Sequence, residues 1–329
     1  MNLLLLGAGF SRNWGGWLAS EVFEWLIGHP AVTTNTEARA LLWRGQKSGG
    51  GFEEALSEIQ HSHASNSGAH QATLDAMQSA IRDMFDEMNK ALHLQQFEFS
   101  QDRQWHIATF LGKFDAIYTL NQDTLLEHLY CNGNVPLNNP GKWDGVSLPG
   151  LVRGAVTDSA FATSWAYCDW SPISTGEISF PERYQPIYKL HGSSNWRNAT
   201  GAPLLVMGGS KSKAISDTPL LQSYMNRFRE HLQTNGAKLM VIGYGFRDDH
   251  INELIIDGAK NGLRLFNISP QGADAAKASN LGRRGSIQPA NNDLENVFES
   301  NLFGASRRPL ATLFSTDMVE HRKVMRFFE

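Results

Sequence analysis

Leu3-Leu4-Leu5-Leu6-Gly7-Ala8-Gly9-Phe10-Ser11 is the stretch whose reading decides the fold. An apolar run with no polar alternation reads as a strand buried on both faces, as in a parallel sheet covered by helices. It ends in a Gly-Ala-Gly turn, where missing side chains let backbone amides approach a ligand, the way a nucleotide phosphate is gripped. The third glycine of the G-x-G-x-x-G fingerprint is missing, because Asn13 and Trp14 follow and Gly15 comes only after them. The turn alone therefore leaves both nucleotide binding and a plain tight turn open. Trp17 to Gly28 next reads as a helix with Leu18, Val22, Trp25 and Leu26 on one face, stopped at Gly28-His29-Pro30.

Further along, Phe52, Ala55, Leu56 and Ile59 recur at helical spacing, as do Leu74, Met77, Ile81, Met84, Phe85, Met88 and Leu92. Methionines in such a pattern fill a core. These helices read as an insertion at about 31–108, between the first strand and the next. Gly45-Gln46-Lys47-Ser48-Gly49-Gly50-Gly51 has the letters of a P-loop in the wrong order and reads as a flexible loop. Strands return at Phe114–Leu120, Ile187–Leu190, Lys238–Ile242 and Leu263–Phe266, the last ending at Asn267-Ile268-Ser269-Pro270. Between them, about 131–186 is rich in Gly, Pro, Ser and Trp and reads as a second, loop-rich insertion, with Trp143, Trp165 and Trp170 packing under the loops. The expected architecture is α/β: a Rossmann-like doubly wound parallel sheet, one domain over 1–329, carrying a helical and a loop-rich insertion.

A hydrophobic content of 41% over 329 residues supports a sizeable core, and a formal charge of -4 gives no basic footprint for nucleic acid. The clusters Arg283-Arg284 and Arg307-Arg308 read as solvated surface. Cys131 and Cys168 lie in no CxxC pair, which supports neither a zinc ribbon nor a disulfide framework and makes a reduced, cytoplasmic setting the expectation. The Leu3–Leu6 run is too short and lacks the cationic flank of a signal peptide, and no stretch approaches a membrane span.

Four strand ends taken together, Gly7-Ala8-Gly9-Phe10-Ser11, Leu120-Asn121-Gln122-Asp123, Leu190-His191-Gly192 and Gly243-Tyr244-Gly245, resemble the sirtuin superfamily. The resemblance implies NAD+ as substrate. It implies that Gly7, Ala8, Gly9, Phe10 and Ser11 lie at the pyrophosphate, Asn121 and Asp123 at the nicotinamide ribose, and His191 in the catalytic role. Gly243, Tyr244, Gly245 and Asn267 would cradle the phosphates and the adenosine ribose. The sequence departs from sirtuin deacylases in having two stray cysteines where a zinc module has two CxxC pairs, and Arg12-Asn13-Trp14-Gly15-Gly16-Trp17 where an Asp-Phe-Arg segment stands. With Gly51-Phe52-Glu53-Glu54-Ala55-Leu56 and Gly243 to Asn252, it is more similar to the sirtuin-like NADases of prokaryotic antiphage defence.

That likeness implies an NAD+ glycohydrolase acting in abortive infection. It would be gated by homo-oligomer assembly or by a separate sensor or activator, such as an ATPase or nucleotide-handling subunit. A protein deacylase and an NAD- or ADP-ribose-sensing module are the alternatives. Chemically, Asn121 positions without titrating, neutral His191 can take a proton near physiological pH, and Asp123 either orients nicotinamide or caps the next helix. His61, His63 and His70 read as loop histidines, Asp248-Asp249-His250 as a helix cap despite its metal-like letters, and Ser193-Ser194 belongs to no hydrolase elbow. No metal is expected. The apolar tail Leu310 to Phe328 is a candidate contact surface.

Overall fold

The computed structural model describes residues 1–131, 142–156, 164–173, 178–208, 211–283 and 292–329. Its strands are β1 (Asn2–Leu6), β2 (Ala116–Thr119), β3 (Gly145–Ser147), β4 (Leu151–Val156), β5 (Cys168–Pro172), β6 (Tyr184–Lys189), β7 (Gly192–Arg197), β8 (Pro203–Leu205), β9 (Lys238–Ile242), β10 (Arg264–Ile268) and β11 (Leu302–Ser306). Seven form one sheet in the order β11-β10-β9-β1-β2-β6-β3, and every pairing in it is parallel. Leu3 to Leu6 are wholly buried at its centre, each side chain contributing about 1.5–3 kcal/mol by leaving water. The chain winds outward from β1 first through β2 and β6, then returns to the other side through β9, β10 and β11. This is the doubly wound, Rossmann-like arrangement expected, and its topological switch point lies between β1 and β9.

Between β1 and β2 stand the helices Pro30–Thr33, Thr36–Ser48, Gly51–Ser65 and Ser67–His93. The Met77, Ile81, Met84, Phe85, Met88 and Leu92 face of the longest is buried, as its period predicts. The expected loop at Gly45–Gly51 is not one. Thr36–Ser48 stays helical through Gly45 and ends at Gly49, whose left-handed φ of +88° forms the C-cap. The absent Cβ of Gly45 is what admits the neighbouring helix, since an added one would lie 2.2 Å from the Gly51 carbonyl oxygen. His61 and His63 likewise sit on Gly51–Ser65 and His70 on Ser67–His93, not in a loop.

β4 and β5 of the loop-rich stretch join β7 and β8, which follow it, in a second, four-stranded sheet. Their short runs carry no sustained alternation, which is why they escape a periodicity reading. Trp170 registers against Trp196 there, and Trp165 packs on Trp170 at 5.1 Å between centroids. The helix after the first turn begins at Ala19 and buries Val22, Phe23 and Leu26. Leu18, expected on its buried face, is exposed.

The last expected strand is not the last. Asn267 belongs to β10, and β11 follows it. In the tail, Leu310, Leu313, Phe314, Val324 and Phe327 are buried in the core, with Phe314 against Phe110 and Phe327 against Phe114, whereas Met318 and Val319 are exposed. Arg307 pairs with Asp274 and Arg308 with Asp317, whereas Arg284 lies outside the described residues. No helix among the described residues is long and apolar enough to cross a membrane.

Candidate functional site

The turn after β1 and the turn after β9 are built against each other at the switch point. Gly7 donates its amide to the Ile242 carbonyl (3.0 Å) and Gly9 donates to the Gly243 carbonyl (2.8 Å). A Cβ on Gly9 would lie 2.7 Å from the Gly243 Cα, and one on Gly243, at φ +66°, would lie 2.3 Å from the Gly9 carbonyl carbon. These glycines are demanded by backbone meeting backbone. The space a Gly9 side chain would need is occupied by the Gly243 backbone.

Of the residues expected at the phosphates, Ala8 and Gly245 are exposed at this edge. Phe10 is buried against Trp14 at 5.0 Å, so it serves the core. The Tyr244 hydroxyl is hydrogen-bonded to Asn252 Oδ1 (3.1 Å), on the helix Asp249–Lys260 that follows its loop. Asn267, buried in β10, donates through Nδ2 to Ser269 Oγ (2.9 Å) and the Gly272 carbonyl (2.7 Å), holding the turn beyond the strand. Its Oδ1 is buried without a hydrogen-bond partner.

Beside β1, the end of β2 brings Asn121 to the glycine turn. Asn121 Nδ2 donates to Ser11 Oγ (3.0 Å), and its amide donates to Thr119 Oγ1 (3.0 Å). Asp123 is buried, and its Oδ1 accepts the Leu125 amide (3.1 Å), which fastens the start of the helix Leu125–Leu129. Asn121 and Asp123 line a narrow crevice with Phe10, Ser11, Thr119, Leu126, Glu127 and Lys189, too tight to admit water.

Glu127 and Lys189 are the residues that sequence reasoning missed. Lys189 Nζ donates to Glu127 Oε1 and to the Asp123 carbonyl, both at 2.6 Å, and both side chains are essentially excluded from water. Glu127 Oε2 is left without a partner. The available signal was a lysine in the apolar strand Ile187–Leu190, where an unpaired charge would be prohibitive. Ser193 Oγ, which donates to the Gln122 carbonyl at 3.4 Å and lies 3.3 Å from Glu127 Oε1, is part of this buried network and not half of a nucleophile pair.

His191 follows β6 at the same edge. It is 3% exposed, and its Nε2 lies 2.9 Å from Nε2 of His250. Burial pushes the His191 imidazole down to about 3, despite the nearby Asp248 carboxylate, so it is uncharged at neutral pH. His250 is also lowered by burial. β6 and β9 have β1 and β2 between them, so the segment from Gly243 to His250 spans three strand spacings, about 14 Å. Phe246 takes a left-handed φ of +54° along this path, and its carbonyl accepts from Asn252 Nδ2 (2.9 Å) and Ser279 Oγ (2.8 Å).

Asp248 stands at the head of the helix Asp249–Lys260, but its side chain makes no capping bond. It pairs instead with Lys211 at 2.7 Å, and Lys211 pairs with Glu53 of the helix Gly51–Ser65, also at 2.7 Å. Burial alone would raise the Asp248 carboxyl, but His191, Lys211 and His250 together hold it below the usual carboxylate range. Glu53 is raised by burial, which outweighs the pull of Lys211.

Thus the structure brings Ser11 to Asn121, both glycine turns to one another, and His191 to the far end of the β9 loop. Residues 115–273, which include Asn121, Asp123, His191 and the Gly243 turn, match the SIR2-like domain family. No curated protein matches the chain. The SIR2-like match supports placement in the sirtuin-like superfamily and suggests an NAD-utilising enzyme.

Proposed function

We propose that the chain is an NAD+ glycohydrolase. The observation that carries this reading is the bond from Asn121 Nδ2 to Ser11 Oγ beside the switch point, with the uncharged imidazole of His191 one strand further along the same edge. Parallel α/β sheets take their ligands at that edge. Asn121 would fix the attacking water or a ribose hydroxyl. As the bond between C1′ and the pyridinium nitrogen breaks, its electron pair goes to that nitrogen and nicotinamide leaves neutral. Water forms the new C1′–O bond, and its proton passes to His191, which regains its basicity when the edge opens to solvent and relieves the burial that holds it at about 3. Cys131 and Cys168 are both buried thiols outside any disulfide, and two cysteines cannot supply two CxxC pairs, which favours hydrolysis over deacylation.

The antiphage role and its gating belong to the same proposal. The crevice leaves essentially no room even for a water molecule, whereas ordinary small-molecule sites hold ~300–1,000 Å³, so a dinucleotide would require the edge to open. That supports control by assembly or by a partner that handles nucleotides. The test is to incubate the pure chain with NAD+, with and without an acetylated peptide. Peptide-independent release of nicotinamide and ADP-ribose is expected. Release only with peptide would establish a deacylase, and tight binding without turnover a sensor.

A further inference from the structure

We propose that His191, Asp248 and His250 form a binding site for a divalent transition metal of the zinc class. Each offers one ligand atom, and the three atoms lie within 4.8 Å of one another. The letters Asp248-Asp249-His250 suggest a metal cluster, but folding substitutes His191, from the end of β6, for Asp249. Two imidazole nitrogens and one carboxylate oxygen form a donor set that zinc accepts, whereas magnesium and calcium favour all-oxygen sites.

The histidines face each other ring nitrogen to ring nitrogen, with Nε2 atoms 2.9 Å apart. Zinc–nitrogen bonds of about 2.0–2.1 Å at a tetrahedral angle need roughly 3.4 Å between the nitrogens. The pair would therefore open by about 0.5 Å, a side-chain adjustment. One ring must also move its proton from Nε2 to Nδ1, leaving both Nε2 lone pairs for the ion. Lys211 occupies Asp248 Oδ1, and the carboxylate retains a second oxygen for the metal. Glu53 balances the Lys211 charge, so this outer pair holds the Asp248 carboxylate in place as surrounding hydrogen bonds do at metal sites. Three protein ligands leave the fourth position open.

A bound ion would take the His191 lone pair that the proposed hydrolysis uses. Metal should then inhibit turnover, a consequence that rests on the hydrolase reading, whereas the site itself does not.

The test is titration of the chelator-treated full chain with Co2+ and, separately, Zn2+. One equivalent should bind, with the visible d–d bands of tetrahedral Co2+. His250→Ala and Asp248→Asn should each lose those bands and weaken Zn2+ binding by more than the ~10–100-fold that outer partners cost. Circular dichroism establishes that each variant is folded, and His250→Gln serves if the alanine variant is not. Failure of the wild type to bind either ion overturns the proposal, as does a folded variant that binds with wild-type affinity and spectrum. Failure of the metal-free wild type to consume NAD+ would refute the hydrolase reading and leave the Co2+ result standing.

Discussion

Replacing Gly9 with alanine should damage the fold before it touches any ligand. The new methyl would start 2.7 Å from the Gly243 Cα and 2.9 Å from its carbonyl oxygen. Carbon atoms rest at about 3.5–4.0 Å, so one turn must retreat by roughly 1 Å. That movement breaks the Gly9 amide bond to the Gly243 carbonyl (2.8 Å). A lost hydrogen bond costs about 0.5–1.5 kcal/mol and overpacking about 1–3 kcal/mol, together about 1.5–4.5 kcal/mol.

Unfolding entropy of about 2.1 cal/mol/K per residue, over 329 residues, is about 0.7 kcal/mol/K. The expected fall in melting temperature is therefore about 2–6.5 °C. Differential scanning fluorimetry without ligand measures it, with Ala8→Ser at the exposed neighbour as the unchanged control. A folded Gly9→Ala protein melting within about 1 °C of wild type would refute the packing argument and return that space to a ligand.

Asn121→Ala and His191→Ala should each lower kcat by roughly 10²–10⁴-fold with NAD+ affinity largely retained. If either variant only weakens affinity, that residue belongs to ground-state binding. Lys189→Met should cost about 3–5 kcal/mol, because Glu127 would be left buried and unpaired. Lys189→Met with Glu127→Gln should recover part of it in the same chemical denaturation assay, and a double variant no more stable than the single would refute the pairing.

Burial lowers His93 and His231 from 6.5 to about 4. Their contribution to stability is full above 6.5 and is lost as pH falls toward 4, since only the unfolded chain takes up protons in that window. The raised carboxyls of Glu53 and Glu98 act in the opposite sense, so the check compares proteins. His231→Gln should shrink the loss of melting temperature between about pH 7 and pH 5, and an equal loss would count against it.

The parallel sheet was legible because β1 and β9 are short runs, unbrokenly apolar after Asn2 and Lys238, and a doubly covered sheet is what tolerates those. The long helix Ser67–His93 was legible because one face repeats at 3.6 residues. Asn121 and His191 were legible as polar residues placed directly after strands. Local sequence determines such things because side-chain period and turn chemistry are properties of neighbours along the chain.

Other features depend on residues far apart in sequence, whose proximity no local pattern encodes. That Gly9 and Gly243 exclude one another's side chains follows from β1 and β9 pairing. The Lys189–Glu127 ion pair beneath the crevice follows from β6 lying next to β2. The meeting of His191 with His250 and Asp248, and of Asp248 with Lys211, follows from a loop that crosses the sheet edge. Period and turn chemistry established which strands could form, but strand order established which side chains would meet, because only burial of the whole sheet at once fixes that order.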